Sequence, residues 1–504
     1  MTVVTTKQGP KTRLSEQVLR GGIALAVARI LVRAGDLIRM LSIARWLGVD
    51  EMGAYAVASL ALMTLDQFSE TGLRLALIQR QGSVSQFVLP IRTVQAIRGL
   101  FLGVCMFITA PVVASFFSSP KSVNILRVLA ILPAVRGFET LFVTMAQKEL
   151  RFGAVVTLQC IATVVSLAVG IIAAAIRPDA WAMVWANLCS AVIMTIGSHI
   201  LSQRSDIGLT FHWKVLKDIN GFSFWIFLTT ILSYLITKGG DWVVGGLLDV
   251  RELALYQMAF MICTVGTAEL GVILSQLCLP VFSHLQNDKL RLKRAFSQSC
   301  GVIAIVSCLV AGLLCSCSTD FFSLALGEKW KRAIPLVPWL SVWSVCSTLG
   351  FCMSGVFLAL GKSKLWTQMT VVMAILMAIG IYPMAHCFGA RGVAILMAGV
   401  GVTMQLTRYV FIGQMLTLSY PKVLSHVMVP GVACILSVLT SRLVRYSLPN
   451  QTHIVGLIVS AACLLSSYAL LLVVLNPWME PSPRQLFEQM RQMVRRKSAS
   501  PVAS

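Results

Sequence analysis

Long apolar runs dominate the sequence of this 504-residue chain and limit the folds that it can adopt. They recur along almost the whole sequence and are separated by short connectors that contain glycine, proline or charged residues. A helix needs roughly 20 predominantly apolar residues to cross the hydrocarbon core of a bilayer. Barrel strands instead alternate apolar and polar residues over about ten positions. The continuous runs therefore predict membrane-spanning α-helices.

The runs predict an all-α polytopic membrane protein with about 14 transmembrane helices. Their approximate bounds are 22–45, 53–78, 87–117, 122–146, 154–176, 180–200, 220–248, 252–280, 296–325, 333–360, 365–386, 391–415, 423–444 and 453–475. About 14 spans fill the 504 residues and leave no room for a sizeable soluble domain. Only 12% of the residues are charged, about half the share that is usual in soluble proteins. This composition excludes a soluble enzyme, a nucleic-acid-binding module and a disordered chain. Scattered cysteines and histidines without metal-ligand spacing predict no metal, cofactor or catalytic site.

Lysine and arginine concentrate in alternate connectors, and this bias explains much of the net charge of +22. The connector over 281–295, for example, carries Lys289, Arg291, Lys293 and Arg294. Basic connectors face the cytoplasm in membrane proteins. We therefore predict that both termini are cytoplasmic and that the number of spans is even. The charge requires no nucleic-acid partner.

A short internal repeat predicts two lobes. Residues 47–58 resemble residues 248–259, with Tyr55 matching Tyr256, and Glu70 further along matches Glu269. Each copy would hold about six helices, so the two pseudo-symmetric lobes would share one orientation in the membrane. The predicted segments are a cytoplasmic N-terminus (1–21), an N-terminal six-helix lobe (22–200), a cytoplasmic linker (201–219), a C-terminal six-helix lobe (220–415), two additional transmembrane helices (416–475) and a cytoplasmic tail (476–504).

Charged residues inside the predicted spans are rare and informative, because each costs at least about 2.5–3.5 kcal/mol at the centre of a membrane. The basic ones are Arg29, Arg33, Arg39, Arg74, Arg98, Arg127, Arg136, Lys238 and Arg408. The acidic ones are Asp36, Asp66, Glu70, Glu139, Asp241, Glu269 and Asp320. Helical spacing places Arg29, Arg33 and Asp36 on one narrow stripe. This pattern predicts a hydrated interior in which bases outnumber acids.

Six segments of the chain carry motifs of one transporter family. They are Ala44-Arg-Trp-Leu-Gly-Val-Asp-Glu-Met-Gly-Ala-Tyr55, 68–80, Lys238-Gly-Gly-Asp241, Pro280-Val-Phe-Ser-His-Leu-Gln, Leu326-Gly-Glu-Lys-Trp330 and Leu360-Gly-Lys362. Together they resemble the signature of bacterial polysaccharide transporters, the Wzx-like branch of the multidrug/oligosaccharidyl-lipid/polysaccharide (MOP) flippase superfamily. The resemblance is greatest to the colanic-acid and succinoglycan exporter type. Two departures are Val49, where the family often has proline, and Thr71, where aspartate or a small residue is usual.

The resemblance implies the MOP flippase fold and a transporter rather than an enzyme. Such proteins move undecaprenyl-diphosphate-linked oligosaccharide repeat units across the bacterial inner membrane for exopolysaccharide, capsule or O-antigen biosynthesis. The lipid tail would stay in the bilayer while the sugar-diphosphate head crosses a cationic central cavity by alternating access. The implied partners are this lipid-linked substrate and the lipid bilayer, with a polysaccharide polymerase and a chain-length regulator as further candidates.

Arginine is suited to a diphosphate because its planar fork matches phosphate oxygens. The candidates for contact with the diphosphate or sugar head are Arg33, Lys238, Arg74, Arg29 and Arg98. Alternatively, these charges only close ion pairs, which would join Arg33 to Asp36, Glu70 to Arg74 and Lys238 to Asp241. The carboxylates that are candidates for binding a coupling ion, or for structural pairing alone, are Asp36, Glu70, Asp241 and Glu269.

Three other functions fit an all-helical membrane protein. A cation-coupled multidrug antiporter of the same superfamily would favour an acidic cavity, whereas bases outnumber acids in these spans. A membrane polymerase or ligase would present a large polar periplasmic loop with catalytic bases, and the predicted outer connectors are short. A lipid II flippase differs only in its family signature.

Overall fold

The computed structural model describes residues 30–69, 77, 85–149, 152–202, 208, 210, 224–416, 420–447 and 452–475. Regular structure within these ranges is helical, and they contain no strand. The predicted N-terminal segment 1–21, the tail 476–504 and most of the linker 201–219 lie outside them, as do Arg29, Glu70 and Arg74.

The described residues form two compact units, the first within Met1–Ile231. Its helices are α1 (30–46), α2 (Val49–Phe68), α3 (Ser85–Phe116), α4 (Ser122–Leu129), α5 (Ile131–Gly137), α6 (Phe142–Lys148), α7 (Phe152–Ile176) and α8 (Trp181–Leu201). Helix α3 packs on α4 and α5, and α7 packs on α8.

Glycine lets α3 approach its neighbours at backbone distance. A Cβ atom on Gly99 would lie 2.4 Å from the Pro133 carbonyl oxygen, and one on Gly103 would lie 2.6 Å from that of Ala130. Small residues are common where membrane helices pack, because packing rather than hydrophobicity joins helices within lipid. The core of this unit is accordingly rich in alanine.

The predicted span 122–146 is not one continuous helix. Helices α4, α5 and α6 follow one another with breaks, and α6 bends by 48° from the α4–α5 segment. Thr140 lies at the larger break, where its backbone N–H donates to Ser198 Oγ at 3.0 Å and its hydroxyl donates to the Ser198 carbonyl at 2.9 Å. These bonds to α8 replace the helical bonds that an apolar pattern alone would predict.

The second unit lies within Leu232–Ser504. Its helices are most of α9 (Phe224–Leu247), α10 (Val250–His284), α11 (Lys289–Ala325), a 3-10 helix (Glu328–Leu336), α12 (Val337–Ala359), α13 (Ser363–Leu416), α14 (Tyr420–Tyr446) and α15 (His453–Val474). Helix α12 packs against α10, α11 and α13. Helices α14 and α15 pack on each other and on α11.

Two predicted spans, 365–386 and 391–415, are joined without a loop in α13. The chain turns at Gly389, where φ is +61° and ψ is −150°. An L side chain rarely adopts this backbone conformation, so glycine permits the turn. The two arms of α13 approach closely there, since a Cβ on Gly392 would lie 2.0 Å from the Met384 carbonyl oxygen.

The two repeat copies begin their helices at matching residues. Helix α2 starts at Val49 after Gly48, and α10 starts at Val250 after Asp249. The caps differ, because the Asp249 carboxylate accepts a 2.8 Å hydrogen bond from the Glu252 backbone N–H and Gly48 has no side chain to do so. Acceptance by the side chain satisfies one of the free N–H groups of a helix N-terminus.

The chain is a multi-pass membrane protein. Nine helices in the described ranges are long and apolar enough to cross a membrane, or ten if the bent segment α4–α6 counts as one span. Large apolar side chains such as Ile172 and Ile379 are exposed along these helices, as expected of surfaces that meet lipid. Each predicted apolar run overlaps a helix. The count of about 14 crossings stays a prediction.

Candidate functional site

A charged cluster joins α1 to α7 in the first unit. Arg39 lies 3.3 Å from the Asp36 carboxylate one turn earlier, and its other terminal nitrogen donates to Ser166 Oγ at 3.0 Å. Arg33 lies a further turn towards the N-terminus and is exposed. The i, i+3 spacing of Asp36 and Arg39 places both on one side of the helix. The cluster thus fixes α1 on α7 and leaves a second guanidinium accessible beside it.

Arg98 on α3 caps the C-terminal end of α2. It donates to the backbone carbonyl of Asp66 at 2.8 Å, to the Asp66 carboxylate at 3.2 Å and to Ser69 Oγ at 3.0 Å. The last carbonyls of a helix lack intrahelical donors and carry partial negative charge, so a cation stabilises them. These contacts give Arg98 a structural task, and its contact with substrate stays a prediction.

An ion pair on α9 has a buried carboxylate and is linked to α10 by a glutamine in the second unit. Lys238 Nζ lies 2.9 Å from Asp241 Oδ2, and Gln257 donates to the same oxygen at 3.0 Å. The Asp241 side chain is fully buried, and its Oδ1 has no hydrogen-bond partner among the described residues. The ammonium of Lys238 also lies 5.3 Å from the ring centroid of Phe260. A cation over a ring face gains a modest electrostatic attraction.

The Lys238-Gly-Gly-Asp241 segment also allows α9 to approach α10. A Cβ on Gly240 would lie 2.9 Å from the Tyr256 hydroxyl oxygen, which is too close for a side chain. Tyr256 is itself buried and donates to Met397 Sδ at 2.8 Å. Its repeat counterpart Tyr55 instead accepts a 2.7 Å hydrogen bond from Asn187. The same repeat position thus anchors a different polar contact in each unit.

The predicted site residues in the described ranges lie in distinct places. Arg33 and Asp36 share α1, Arg98 lies at the end of α2, and Lys238 pairs with Asp241. Glu269 is half-buried on α10. The Lys238–Asp241 contact is the ion pair that the alternative interpretation expects. The roles of all these residues in substrate contact stay predictions, and Arg29, Glu70 and Arg74 lie outside the described residues.

Sequence reasoning did not find the partners of Asp320. This buried carboxylate on α11 accepts two hydrogen bonds from Arg445 of α14, at 2.9 and 3.0 Å, and lies 2.9 Å from His453 Nδ1 of α15. Gly456 faces the pair so closely that a Cβ there would lie 2.6 Å from Asp320 Oδ2. The only signal in the sequence was one acidic residue near the end of an apolar run.

A sequence profile of the polysaccharide biosynthesis protein family matches residues 42–335. Among curated proteins, the lipopolysaccharide biosynthesis protein WzxC of Escherichia coli (strain K12) is 21% identical over 383 residues, which cover 76% of this chain and 78% of WzxC.

Two solved structures share the fold. The lipid II flippase MurJ in an inward closed conformation superposes with a TM-score of 0.73 at 12% identity, covering 90% of this chain and 99% of MurJ. An inward-facing multidrug resistance MATE family transporter of the MOP superfamily superposes with a TM-score of 0.61 at 15% identity, covering 78% of this chain and 98% of the transporter. These similarities establish the MOP flippase fold, as the sequence predicted. With the profile match over more than half of its length, the chain belongs to the polysaccharide biosynthesis protein family.

Proposed function

We propose that this protein is a flippase that moves undecaprenyl-diphosphate-linked oligosaccharide repeat units across the bacterial inner membrane by alternating access. The observation that carries the proposal is membership of the polysaccharide biosynthesis protein family over residues 42–335. The fold supports a transporter rather than an enzyme. Fold alone does not separate this function from multidrug transport, because both are found on it. The family match and the excess of basic residues favour the anionic lipid-linked substrate.

Accessible cationic side chains in the first unit support contact with a diphosphate. Arg33 is exposed on α1, and Arg39, later on the same helix, is held by Asp36 and Ser166. A guanidinium positioned in this way can bind phosphate oxygens through two parallel hydrogen bonds. We assign the first contact to Arg33. Arg98 is hydrogen-bonded to the end of α2, so only the exposed part of its side chain would be available as a second contact with the diphosphate.

In the second unit, we propose that Lys238 is the cation that meets the head group, and that Asp241 and Gln257 position it. The side chain of Lys238 keeps some exposed surface, whereas the side chain of Asp241 has none. A sealed carboxylate is better suited to holding a lysine than to contacting a large sugar. Asp36 and Glu269 are half-buried and remain candidates for binding a coupling ion. Arg29, Glu70 and Arg74 keep the roles that the sequence predicts for them.

The alternating enrichment of basic connectors supports a topology with both termini in the cytoplasm. The lipid-linked substrate would then enter from the cytoplasmic leaflet, where its sugars are assembled. A polymerase and a chain-length regulator on the periplasmic side would consume the delivered unit. Alternating access would come from movement of the two compact units, Met1–Ile231 and Leu232–Ser504.

Deletion of the gene tests the proposal. Radiolabelled sugar is supplied, and both membrane lipids and surface polymer are analysed. We expect the deletion to abolish the polymer and to accumulate a complete lipid-linked repeat unit inside the cell. Single repeat units on the outer surface would instead identify a polymerase. Normal polymer with altered resistance to cationic compounds would identify a multidrug antiporter.

A variant pair tests the assignment of Arg33 in the same strain. Arg33→Ala should reduce polymer export at least about tenfold while the protein stays in the membrane, because a charged hydrogen bond to phosphate is worth roughly 1.5–3 kcal/mol. Arg177→Ala is the matched control. Arg177 is an exposed arginine that follows α7 and pairs with Asp179, so its loss should leave export unchanged. Normal export by Arg33→Ala would refute the assignment.

A further inference from the structure

An arginine is buried in the second unit without an acidic partner. Arg408 on α13 is only 7% exposed. Its terminal nitrogens donate to Gln405 Oε1 at 3.3 Å and to Met373 Sδ at 3.7 Å, and its guanidinium lies 4.3 Å from the ring centroid of Trp366. Across the described ranges, no carboxylate pairs with it. A guanidinium stays protonated in proteins, so this positive charge is permanent.

Two hydrogen-bond donors of Arg408 and Gln405 are left unsatisfied among the described residues. Arg408 Nε and Gln405 Nε2 are both buried and lack a partner in the described part of the chain. Gln405 is 5% exposed, and its acceptor oxygen is already used by Arg408. A buried donor without a partner is unfavourable, because it has lost its hydrogen bond to water. A cluster with a net positive charge and two unsatisfied donors is complementary to an anion.

The contacts already present do not balance the charge. The sulfur of Met373 is a weak acceptor, and the ring of Trp366 supplies a modest attraction. A water molecule would satisfy the two donors but would leave the charge in place, in a setting where burial of an unpaired ion costs several kcal/mol. An anion satisfies both requirements with one group.

The packing limits the size of this anion. Gly350 of α12 faces the cluster, and a Cβ there would lie only 3.3 Å from Arg408 Nη1. Met373 is also buried, and it belongs to the other arm of α13. Because the side chains of Arg408 and Gln405 are almost fully buried and Gly350 packs closely on them, a single small ion suits this position better than a lipid head group.

We propose that Arg408 and Gln405 bind a small monovalent anion of the size of chloride, and that this ion joins the two arms of α13 to each other and to α12. The site is independent of the proposed transport substrate, and its occupancy is a property of the purified protein. An ion that binds only the folded state stabilises it in proportion to occupancy.

Thermal unfolding of the purified full-length protein tests this site. Sodium chloride is titrated against sodium gluconate at constant ionic strength, and unfolding is followed by tryptophan fluorescence. We expect a saturable rise in melting temperature of at least about 2 °C with chloride, and the same rise with bromide. No rise when chloride replaces the larger gluconate ion would overturn the proposal, because the two anions would then be equivalent.

Variants link the effect to the cluster. Arg408→Gln should lose the chloride-dependent rise. Gln405→Leu keeps the arginine and removes the amide donor, so the chloride concentration needed for half of the stabilisation should rise about tenfold. This variant provides the test if Arg408→Gln does not fold. Arg127→Gln is the matched control, since Arg127 also lies over a ring, that of Phe107, but is exposed. Wild-type chloride dependence in both cluster variants would overturn the assignment.

Discussion

Four acids that form ion pairs inside the predicted spans differ in exposure between the two units. In the first unit, the side chains of Asp36 and Asp66 are 39% and 37% exposed although each contacts an arginine. In the second unit, Asp241 is fully buried and Asp320 is 4% exposed. Of these four paired acids, the two in the first unit are therefore open to solvent and the two in the second unit are sealed.

This difference separates two uses of charge. An open pair gains little stability, because water screens it and its partners can exchange. A sealed pair is costly to assemble, but removal of one partner leaves an uncompensated buried charge. The exposed carboxylates of the first unit stay accessible to water, whereas the buried carboxylates of the second unit depend on their partners for stability. Substitutions at these pairs test the contrast, beginning with the one expected to destabilise the protein most.

Lys238→Ala should destabilise the protein most. The substitution leaves the Asp241 carboxylate fully buried without its counter-charge, and loss of one partner from a buried pair costs about 3–5 kcal/mol. Unfolding of the purified protein by SDS in mixed micelles measures the change in the free energy of unfolding.

The double variant Lys238→Ala/Asp241→Ala sharpens this result. It removes both charges, so it should lose less stability than Lys238→Ala alone. If Lys238 also contacts the substrate, export stays defective in the double variant although stability recovers. Losses of stability that simply add would show that the two side chains are not coupled.

Asp320→Asn should have the second largest effect. Asparagine keeps the shape of the side chain but not the charge of the carboxylate that contacts Arg445 and His453. Hydrogen bonds to charged groups are worth roughly 1.5–3 kcal/mol. Asp288→Asn is the control on the same helix. Asp288 caps the start of α11, where asparagine caps about as well, so stability should not change. Equal losses from both variants would contradict the assignment of a sealed cluster.

Arg98→Gln should cost less, about 0.5–1 kcal/mol, because its contacts with Asp66 and Ser69 are half-exposed and one of them caps a helix end. The same SDS unfolding measurement applies. A loss above about 2 kcal/mol would show that this pair behaves like the sealed pairs of the second unit.

Lys121→Gln should have the smallest effect. Lys121 lies 2.7 Å from the Glu51 carboxylate, but its side chain is 72% exposed. The melting temperature should change by less than about 1 °C, because exposed ion pairs contribute little. A clear fall in melting temperature would mean that exposure does not decide the strength of these pairs.

Much of the fold follows from the sequence, because the length of an apolar run is a local property that the bilayer tests directly. The sequence repeat is also visible in the structure, since α2 and α10 begin at matching positions of the two copies, Val49 and Val250. The Lys238–Asp241 contact also follows from i, i+3 spacing on one helix.

The remaining features depend on contacts between residues that are distant in the chain. Nothing in the sequence near Asp66 shows that Arg98 reaches it from α3, and the break at Thr140 depends on Ser198 of α8. Asp320 finds its partners more than a hundred residues later. A periodic pattern identifies which residues share a helix face, but not which face of another helix meets them.

The spacing of the Asp320 cluster also has a consequence for synthesis. Asp320 and Arg445 are 125 residues apart, so at roughly 5–20 residues per second the carboxylate is made about 6–25 s before its guanidinium partner. Asp241 waits only for Gln257, 16 residues later, and its lysine is made before it. Throughout the longer interval, the nascent chain contains Asp320 in α11 before its partners in α14 and α15 have been synthesised. A chain that stops before Arg445 keeps that acid without its partners permanently.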